Sequence, residues 1–166
     1  MSMKQLLSLS LLAVFSFWGC KATGPAATQP PPVKILAYIN VTSGCQQPTV
    51  DLLKNLQAND PRVQVEFVDF GDGGEGALRW QNSGHECMTI EINGSENVKF
   101  PQDDTTKVVS FRMPAGFVWT HADLEAAVQA ALQGKLQPAT EDEVLEAGGS
   151  MPEPPTPKKP IIVPKK

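Results

Sequence analysis

Cysteine and histidine are the residue types through which this chain could support redox or metal chemistry, and the candidates among its 166 residues are Cys20, Cys45, Cys87 and His85. Cys45 lies between a predicted buried strand and the start of a predicted helix. Free backbone N–H groups at a helix N-terminus stabilise negative charge, which favours a reactive thiolate at that position. Cys45 is therefore a candidate nucleophile. The alternative interpretations are half of a structural disulfide and an inert buried thiol.

The elements that position Cys45 are a strand, a helix and a second strand. Residues 34–41 are an apolar run rich in strand-forming side chains, and residues 63–70 supply a second strand that can lie parallel to the first. The helix between them follows Pro48 and carries apolar side chains at helical spacing: Val50, Leu53 and Leu56. This order predicts a strand–helix–strand unit with Cys45 in its first loop.

Two further strands and a helix are predicted after this unit. Residues 87–92 alternate as a third strand and end at an Asn-Gly pair typical of a hairpin turn. A fourth strand lies in residues 98–100 or 108–112, or in both with an insertion between them. A last helix begins at Thr120, which forms an approximate capping box with Asp123.

The N-terminal residues predict export rather than a membrane-spanning helix. Residues 6–18 form an uninterrupted run of 13 apolar and small residues, which is too short to span a bilayer comfortably and typical of a signal-peptide core. The following pair, Gly19 and Cys20, resembles the end of a bacterial lipoprotein signal, whose cysteine becomes the lipidated N-terminus. The resemblance implies lipidation at Cys20. An ordinary secretory signal cleaved a few residues later is the alternative.

Composition divides the chain into a signal peptide (1–20), a Pro-rich linker (21–33), a folded domain (34–134) and a low-complexity Pro/Lys tail (135–166). The last 16 residues hold 6 Pro and 4 Lys and are predicted to be disordered. The domain contains 13 Asp or Glu and 7 Lys or Arg, a formal charge of −6. It therefore offers no basic stripe for nucleic acid.

The order strand-helix-strand-helix-strand-strand-helix, with a cysteine at the first strand-to-helix junction, resembles the thioredoxin fold over residues 34–134. The most specific match is Cys45-Gln46-Gln47-Pro48, at the position of the family's C-x-x-C motif, where Pro48 replaces the second cysteine. Residues 87–94 are similar to the strand and turn that follow the family's cis-proline, and His85 stands in the region where that proline is expected. The resemblance implies an α/β domain with a central four-stranded mixed sheet flanked by helices.

In the thioredoxin fold these two loops face each other, so the resemblance implies that Cys87 lies beside Cys45. A disulfide between them is then expected in an oxidising compartment, and by the chain-entropy model its loop of about 42 residues would contribute roughly 4 kcal/mol. Cys45, His85 and Cys87 could alternatively form a copper or zinc site, because thiolate and imidazole are ligands for both metals. No other metal or cofactor is indicated.

Three functions remain open from the sequence. The first is a lipid-anchored, thioredoxin-like protein of the bacterial cell envelope, facing the periplasm or the exterior, that exchanges disulfides through Cys45 and Cys87. The second is a non-catalytic thioredoxin-fold binding module in which the same disulfide is structural. The third is a copper or zinc carrier. The expected partners are the membrane, through the N-terminal lipid, and the thiols or disulfides of envelope proteins.

Overall fold

The computed structural model describes residues 31–148 with the exception of residue 117. In chain order its elements are β1 (Val33–Ile39), α1 (Gln47–Asn59), β2 (Val63–Asp69), α2 (Glu75–Ser83), β3 (Thr89–Ile92), β4 (Asn97–Gln102), β5 (Thr105–Ser110), α3 (His121–Leu132), β6 (Gln137–Pro138) and α4 (Glu141–Glu146). The predicted signal peptide, most of the predicted linker and the end of the predicted tail lie outside these residues. None of the helices in the described part is long and apolar enough to cross a membrane.

β1 is the central strand of the first sheet, whose order is β2-β1-β3. It pairs in parallel with β2 and antiparallel with β3, where Tyr38 lies opposite Thr89. Parallel strands need a crossover connection, and α1 provides it. One face of β1 is buried along its whole length: Val33, Ile35, Ala37 and Ile39. The predicted strand–helix–strand unit and the mixed α/β class are confirmed.

β4, β5 and β6 form a second antiparallel sheet in the order β5-β4-β6. β4 and β5 are joined by the two-residue turn of Asp103 and Asp104, and Asp103 has a φ of 51°. Both segments considered for the fourth strand are therefore strands, and they pair with each other.

The predicted single four-stranded sheet is not confirmed. The segment that follows β5 lies beside β3. The two are paired by one isolated antiparallel bridge between Thr89 and Arg112. A hydrogen bond from Ile90 N–H to the carbonyl of Phe111 (2.9 Å) supports this bridge. The bond from Met113 N–H to the carbonyl of Met88 (2.8 Å) lies on the other side of the bridge, so the two sheets are joined there by two hydrogen bonds.

The turn at Asn93 and Gly94 separates β3 from β4. Both residues have positive φ, 53° and 85°, and the residues on either side form the bridge that closes the turn. Immediately beyond it, the carbonyl of Glu96 accepts a hydrogen bond from Phe111 N–H (2.8 Å), so β4 runs along β5 instead of along β3. The predicted turn is confirmed, and the antiparallel pairing of β3 with the chain immediately after it is limited to the bridge between Ile92 and Ser95.

Helices cover both faces of the first sheet. α1 contacts β2, α3 contacts β1, and the two helices contact each other, so they share one face. α2 covers the opposite face, where Arg79 forms an ion pair with Glu66 of β2 (2.6 Å). α3 also contacts β4, and α4 contacts β5. Because β6 and α4 follow Gly134, the predicted end of the domain, the packed part of the chain extends past that residue.

The N-terminus of α3 is held by a buried carboxylate. Thr120 Oγ1 accepts a hydrogen bond from Asp123 N–H (3.2 Å), and Asp123 Oδ2 accepts one from Thr120 N–H (2.8 Å), so the predicted capping box is confirmed. Asp123 Oδ1 pairs with Lys107 and fastens α3 to β5. Burial alone would raise the pKa of Asp123, but the hydrogen bonds from Lys107 and Thr120 outweigh it and hold the pKa below its usual range.

Leu53→Ala is expected to lower the free energy of unfolding by about 2–5 kcal/mol, because it leaves a cavity where α1 packs on the sheet. Leu53 is fully buried, whereas the neighbouring Lys54 is exposed. Lys54→Ala is therefore the matched control and should change stability by less than about 0.5 kcal/mol. Urea unfolding measures both. A loss below about 1 kcal/mol for Leu53→Ala would mean that α1 is not docked on the sheet.

Asp123→Asn is expected to destabilise the protein at neutral pH and to matter less in acid. A carboxyl whose pKa is depressed on folding contributes stability above its unfolded pKa of about 3.9, and this contribution is lost as the pH falls through the folded pKa. The variant should lose about 1–2 kcal/mol at neutral pH, and its difference from the wild type should shrink below about pH 4. Urea unfolding over a pH series measures this difference. Glu125→Gln, at an exposed position of the same helix, is the control. A loss that does not vary with pH would contradict the charge-based explanation.

Candidate functional site

Cys45 is exposed in the loop between β1 and α1. Its sulfur lies 3.0 Å from Ser43 Oγ, which makes the hydroxyl a hydrogen-bond partner for the thiol. The N–H groups of Gln46 and Gln47 both bond to the carbonyl of Ser43, at 2.9 and 3.0 Å. Cys45 therefore lies within a helix-like turn that leads directly into α1.

The free N–H groups expected at this helix end are not free. Besides the two bonds to Ser43, Thr49 N–H bonds to the carbonyl of Gln46 (3.0 Å), and Pro48 has no N–H. Backbone carbonyls thus occupy the donors that were expected to stabilise a Cys45 thiolate. The Ser43 hydroxyl and the helix dipole are the polar groups that remain for this role.

Side chains from both parallel strands fix the loop that carries Cys45. The buried Gln46 accepts a hydrogen bond from Asn40 N–H (2.7 Å), and Asn40 Oδ1 accepts one from Thr42 N–H (3.1 Å). Asp69, at the end of β2, accepts bonds from Val41 N–H (3.3 Å) and from the loop after β2. The exposed thiol is therefore carried by a loop whose backbone has defined partners.

Two glycines after β2 allow close approaches to Asn40 and Asp69, which hold this loop. A Cβ on Gly71 would lie 2.4 Å from the side chain of Asn40, and a Cβ on Gly76 would lie 2.1 Å from the carbonyl oxygen of Asp69. A larger residue at position 76 would force the backbone apart, whereas at position 71 the side chain of Asn40 would have to move. The sequence pattern does not show this requirement, because both contacts join residues on different elements.

Cys87 is half-buried, two residues before β3, and packs against the hydrophobic core. Its carbonyl accepts hydrogen bonds from Trp80 Nε1 (3.4 Å) and Thr89 Oγ1 (3.3 Å). Because Thr89 pairs with Tyr38 near the end of β1, Cys87 lies at the end of the sheet from which the Cys45 loop leaves. The structure holds both cysteines as free thiols, so the disulfide expected between them is not formed in it.

His85 has partners other than the cysteines. Its Nε2 lies 3.2 Å from Glu91 Oε1, and its ring packs edge-on against Tyr38 with a centroid distance of 4.7 Å. Burial, followed by the charge of Glu91, raises the pKa of Tyr38. No group of three or more His, Cys, Asp or Glu within the described residues could hold a metal ion, so Cys45, His85 and Cys87 are not gathered into such a site.

His121 lies closer to the candidate site than its place in the sequence indicates. Its Nε2 is 3.0 Å from Oγ1 of the buried Thr49, which joins the first residue of α3 to the first turn of α1. Thr49 lies one helical turn after Cys45. The sequence pattern gives no signal for this contact, because 72 positions separate His121 from Thr49.

The segment that connects β5 to α3 completes this end of the molecule. Met113 N–H bonds to the carbonyl of Met88, the residue after Cys87 (2.8 Å). Trp119 is buried, and its Nε1 donates to the carbonyls of Arg112 and Met113 at 3.1 and 3.0 Å. The segments that carry Cys45, Cys87 and His121 therefore meet at one end of the first sheet.

The chain matches no family model, no curated protein and no solved structure. Function is therefore inferred from the contacts of the two cysteines and from the topology around them.

Proposed function

We propose that this chain is a thioredoxin-like protein of the bacterial cell envelope that exchanges disulfides through Cys45, with Cys87 as the second thiol. One observation carries the proposal: an exposed cysteine at the start of α1 lies at the same end of the sheet as a second, half-buried free cysteine. Two free thiols at one end of a sheet are the minimum required for a reversible dithiol–disulfide couple.

The topology supports a thioredoxin-like assignment. β1 lies between a parallel β2 and an antiparallel β3, and α1 and α3 share the face opposite to α2. The bridge from Thr89 to Arg112 gives β3 a second neighbour, at the place where the thioredoxin-like sheet has its last strand. The β4–β5 hairpin is then an extension of that last hairpin.

The proposed reaction transfers two electrons. The Cys45 thiolate attacks one sulfur of a partner protein's disulfide, forms a mixed disulfide and releases the other partner sulfur as a thiolate. The Cys87 thiolate then attacks Cys45 Sγ and releases the second partner thiolate. The products are a reduced partner and a Cys45–Cys87 disulfide, and the reverse sequence oxidises a partner dithiol.

The surroundings of the two thiols suit these different roles. Cys45 is exposed and can meet a partner protein, and the Ser43 hydroxyl can donate a hydrogen bond to its thiolate. Cys87 is shielded by the core, and the bonds from Trp80 and Thr89 to its carbonyl fix its backbone. The first thiol is thus presented to solvent, while the second is half-buried.

A binding module with a structural Cys45–Cys87 disulfide is the second candidate. Pro48 in place of the second cysteine of the C-x-x-C pattern favours it, because the usual resolving thiol is missing from the loop. A copper or zinc carrier gains no support, because the contacts of His85 are with Glu91 and Tyr38.

The proposed location depends on Cys20 and the linker, which lie mainly outside the described residues. A lipidated Cys20 would anchor the chain to a membrane, and the Pro-rich linker would hold the domain away from the lipid surface. The domain would then meet envelope proteins while facing the periplasm or the exterior.

In the reduced protein, Cys45 is expected to react with iodoacetamide at least about tenfold faster than Cys87, because it is exposed and Cys87 is half-buried. Ser43→Ala should slow the Cys45 reaction by about threefold, because it removes the hydroxyl beside the sulfur. Peptide mass spectrometry measures both rates. Thr42→Ala, at a neighbouring residue that bonds to Asn40, is the control. Equal rates at the two cysteines would contradict the assignment of Cys45 as the attacking thiol.

Exchange itself is tested with Cys87→Ser and Cys45→Ser. With a disulfide-bonded peptide as substrate, Cys87→Ser should accumulate a mixed disulfide at Cys45, whereas the wild type should release reduced peptide and form the internal disulfide. Cys45→Ser should do neither. If the wild-type disulfide forms but is not reduced by dithiol peptides, and no mixed disulfide is trapped, the binding-module interpretation replaces the redox one.

The mature protein is expected to begin at a lipidated Cys20. Intact mass spectrometry of the membrane fraction should show the chain shortened by its first 19 residues and heavier by a lipid group. Cys20→Ser should abolish the lipid and release the protein from membranes. An unmodified N-terminus a few residues after Cys20 would disprove the anchor while leaving export intact.

A further inference from the structure

The outer edge of β2 is closed by the protein itself. Gln57 of α1 places its side-chain carbonyl 2.7 Å from Val65 N–H, and Val63 N–H bonds to the carbonyl of Asp60 (2.9 Å). Near the end of the strand, the first turn of α2 at Gly76 lies directly against the carbonyl of Asp69. Little of this edge remains for another strand.

The outer edge of β5 is open by contrast. In the β4–β5 register the two-residue turn makes alternate pairs hydrogen-bonded, so the backbone groups of Thr106, Val108 and Ser110 point away from β4. No residue in the described part of the chain bonds to these groups. The edge ends at the next outward residue, Arg112, whose carbonyl accepts the bond from Trp119. The outward backbone groups of these three residues are therefore available to pair with an added strand.

One end of this open edge is negatively charged. Asp103 and Asp104, at the tip of the β4–β5 hairpin, are both exposed, and neither forms an ion pair with another described residue. Residues 31–148 hold 17 Asp or Glu and 8 Lys or Arg, a formal charge of −9. Residues 149–166 hold 4 Lys and 1 Glu, a formal charge of +3. The C-terminal segment is thus complementary in charge to the rest of the chain.

The C-terminal segment contains one short stretch suited to this edge. Ile161, Ile162 and Val163 are three consecutive β-branched residues, and they lie between two prolines and two pairs of lysines. We propose that residues 161–163 add as a strand to the outer edge of β5, with one lysine pair beside Asp103 and Asp104. This inference does not depend on the proposed chemistry of the cysteines.

The position of α4 makes this docking possible within one chain. α4 contacts β5, and its Glu143 forms an ion pair with Lys99 of β4 (2.7 Å), so the chain leaves the described region beside the second sheet. The 12 residues from 149 to 160 can span up to about 40 Å. A tether of this length gives an effective concentration in the millimolar range, which favours internal docking over contact with a second chain.

The flanking prolines limit the added strand. Because Pro160 and Pro164 have no N–H, they end the ladder and leave the new edge without donors on either side of the triplet. The new outer edge is therefore short, with donors only within the triplet. Docking would protect an otherwise open strand from pairing with other chains.

The test is amide hydrogen exchange, measured by NMR on the mature protein with its complete C-terminus. In a variant with Ile161→Ser, Ile162→Ser and Val163→Ser, the amides of Thr106, Val108 and Ser110 should exchange about tenfold faster than in the wild type. Val65, on the opposite edge, should not change. A variant with Met151→Ser, Glu153→Ser and Thr156→Ser is the matched control in the same segment and should leave all these rates unaltered.

Two results would overturn the proposal. Equal exchange at β5 in the wild type and the Ile161/Ile162/Val163 variant would show that the segment does not cover this edge. Protection of β5 that rises with protein concentration would show that a second copy, rather than the same chain, occupies it. Loss of protection on adding salt, or on changing the four tail lysines to Gln, would support the expected contact with Asp103 and Asp104.

Discussion

The register of β3 against β1 is the constraint on which the geometry of the candidate site depends. Tyr38 lies opposite Thr89, so Cys87, two residues earlier, falls beyond the end of β1 from which the first loop leaves. The same register places Ile90 on the buried face and Glu91 on the face with Tyr38. A slip by one residue would exchange these faces and bury a carboxylate. The burial of β3 therefore fixes the position of Cys87 along the sheet.

A second constraint acts on the other cysteine. The loop of Cys45 is held by Gln46, Asn40 and Asp69, whose side chains bond to backbone N–H groups of the loop. Its sulfur is exposed although the surrounding backbone is tied to the ends of β1 and β2. The thiol can thus be exposed in an ordered loop, because hydrogen bonds to side chains, rather than burial, hold the loop in place.

The division into two sheets has consequences away from the cysteines. The β4–β5 hairpin adds Phe100 and Val109 to the hydrophobic core. The ion pair of Lys107 with Asp123 fastens α3 to this hairpin. The hairpin also has an outer edge whose backbone groups bond to no described residue, while the edge of β2 is closed by Gln57.

Features that depend on neighbouring residues were predictable from the sequence. The strand–helix–strand unit follows from two apolar runs and a helical stripe, the turn from Asn93 and Gly94, and the cap of α3 from Thr120 and Asp123. Each of these is fixed by the conformational preference of a few adjacent residues, which composition and spacing express directly.

Features that join distant segments depend on tertiary packing and were not predictable from the sequence. The bond of His121 to Thr49 spans 72 positions, and the bridge from Thr89 to Arg112 replaces the fourth strand of a single sheet. Near Cys45, the carbonyl of Ser43 accepts hydrogen bonds from N–H groups that the sequence predicted to be free. The two cysteines are unpaired thiols. Local patterns specify which elements form. The free energy of packing them together decides which edges, donors and thiols meet, and no short stretch of sequence contains that information.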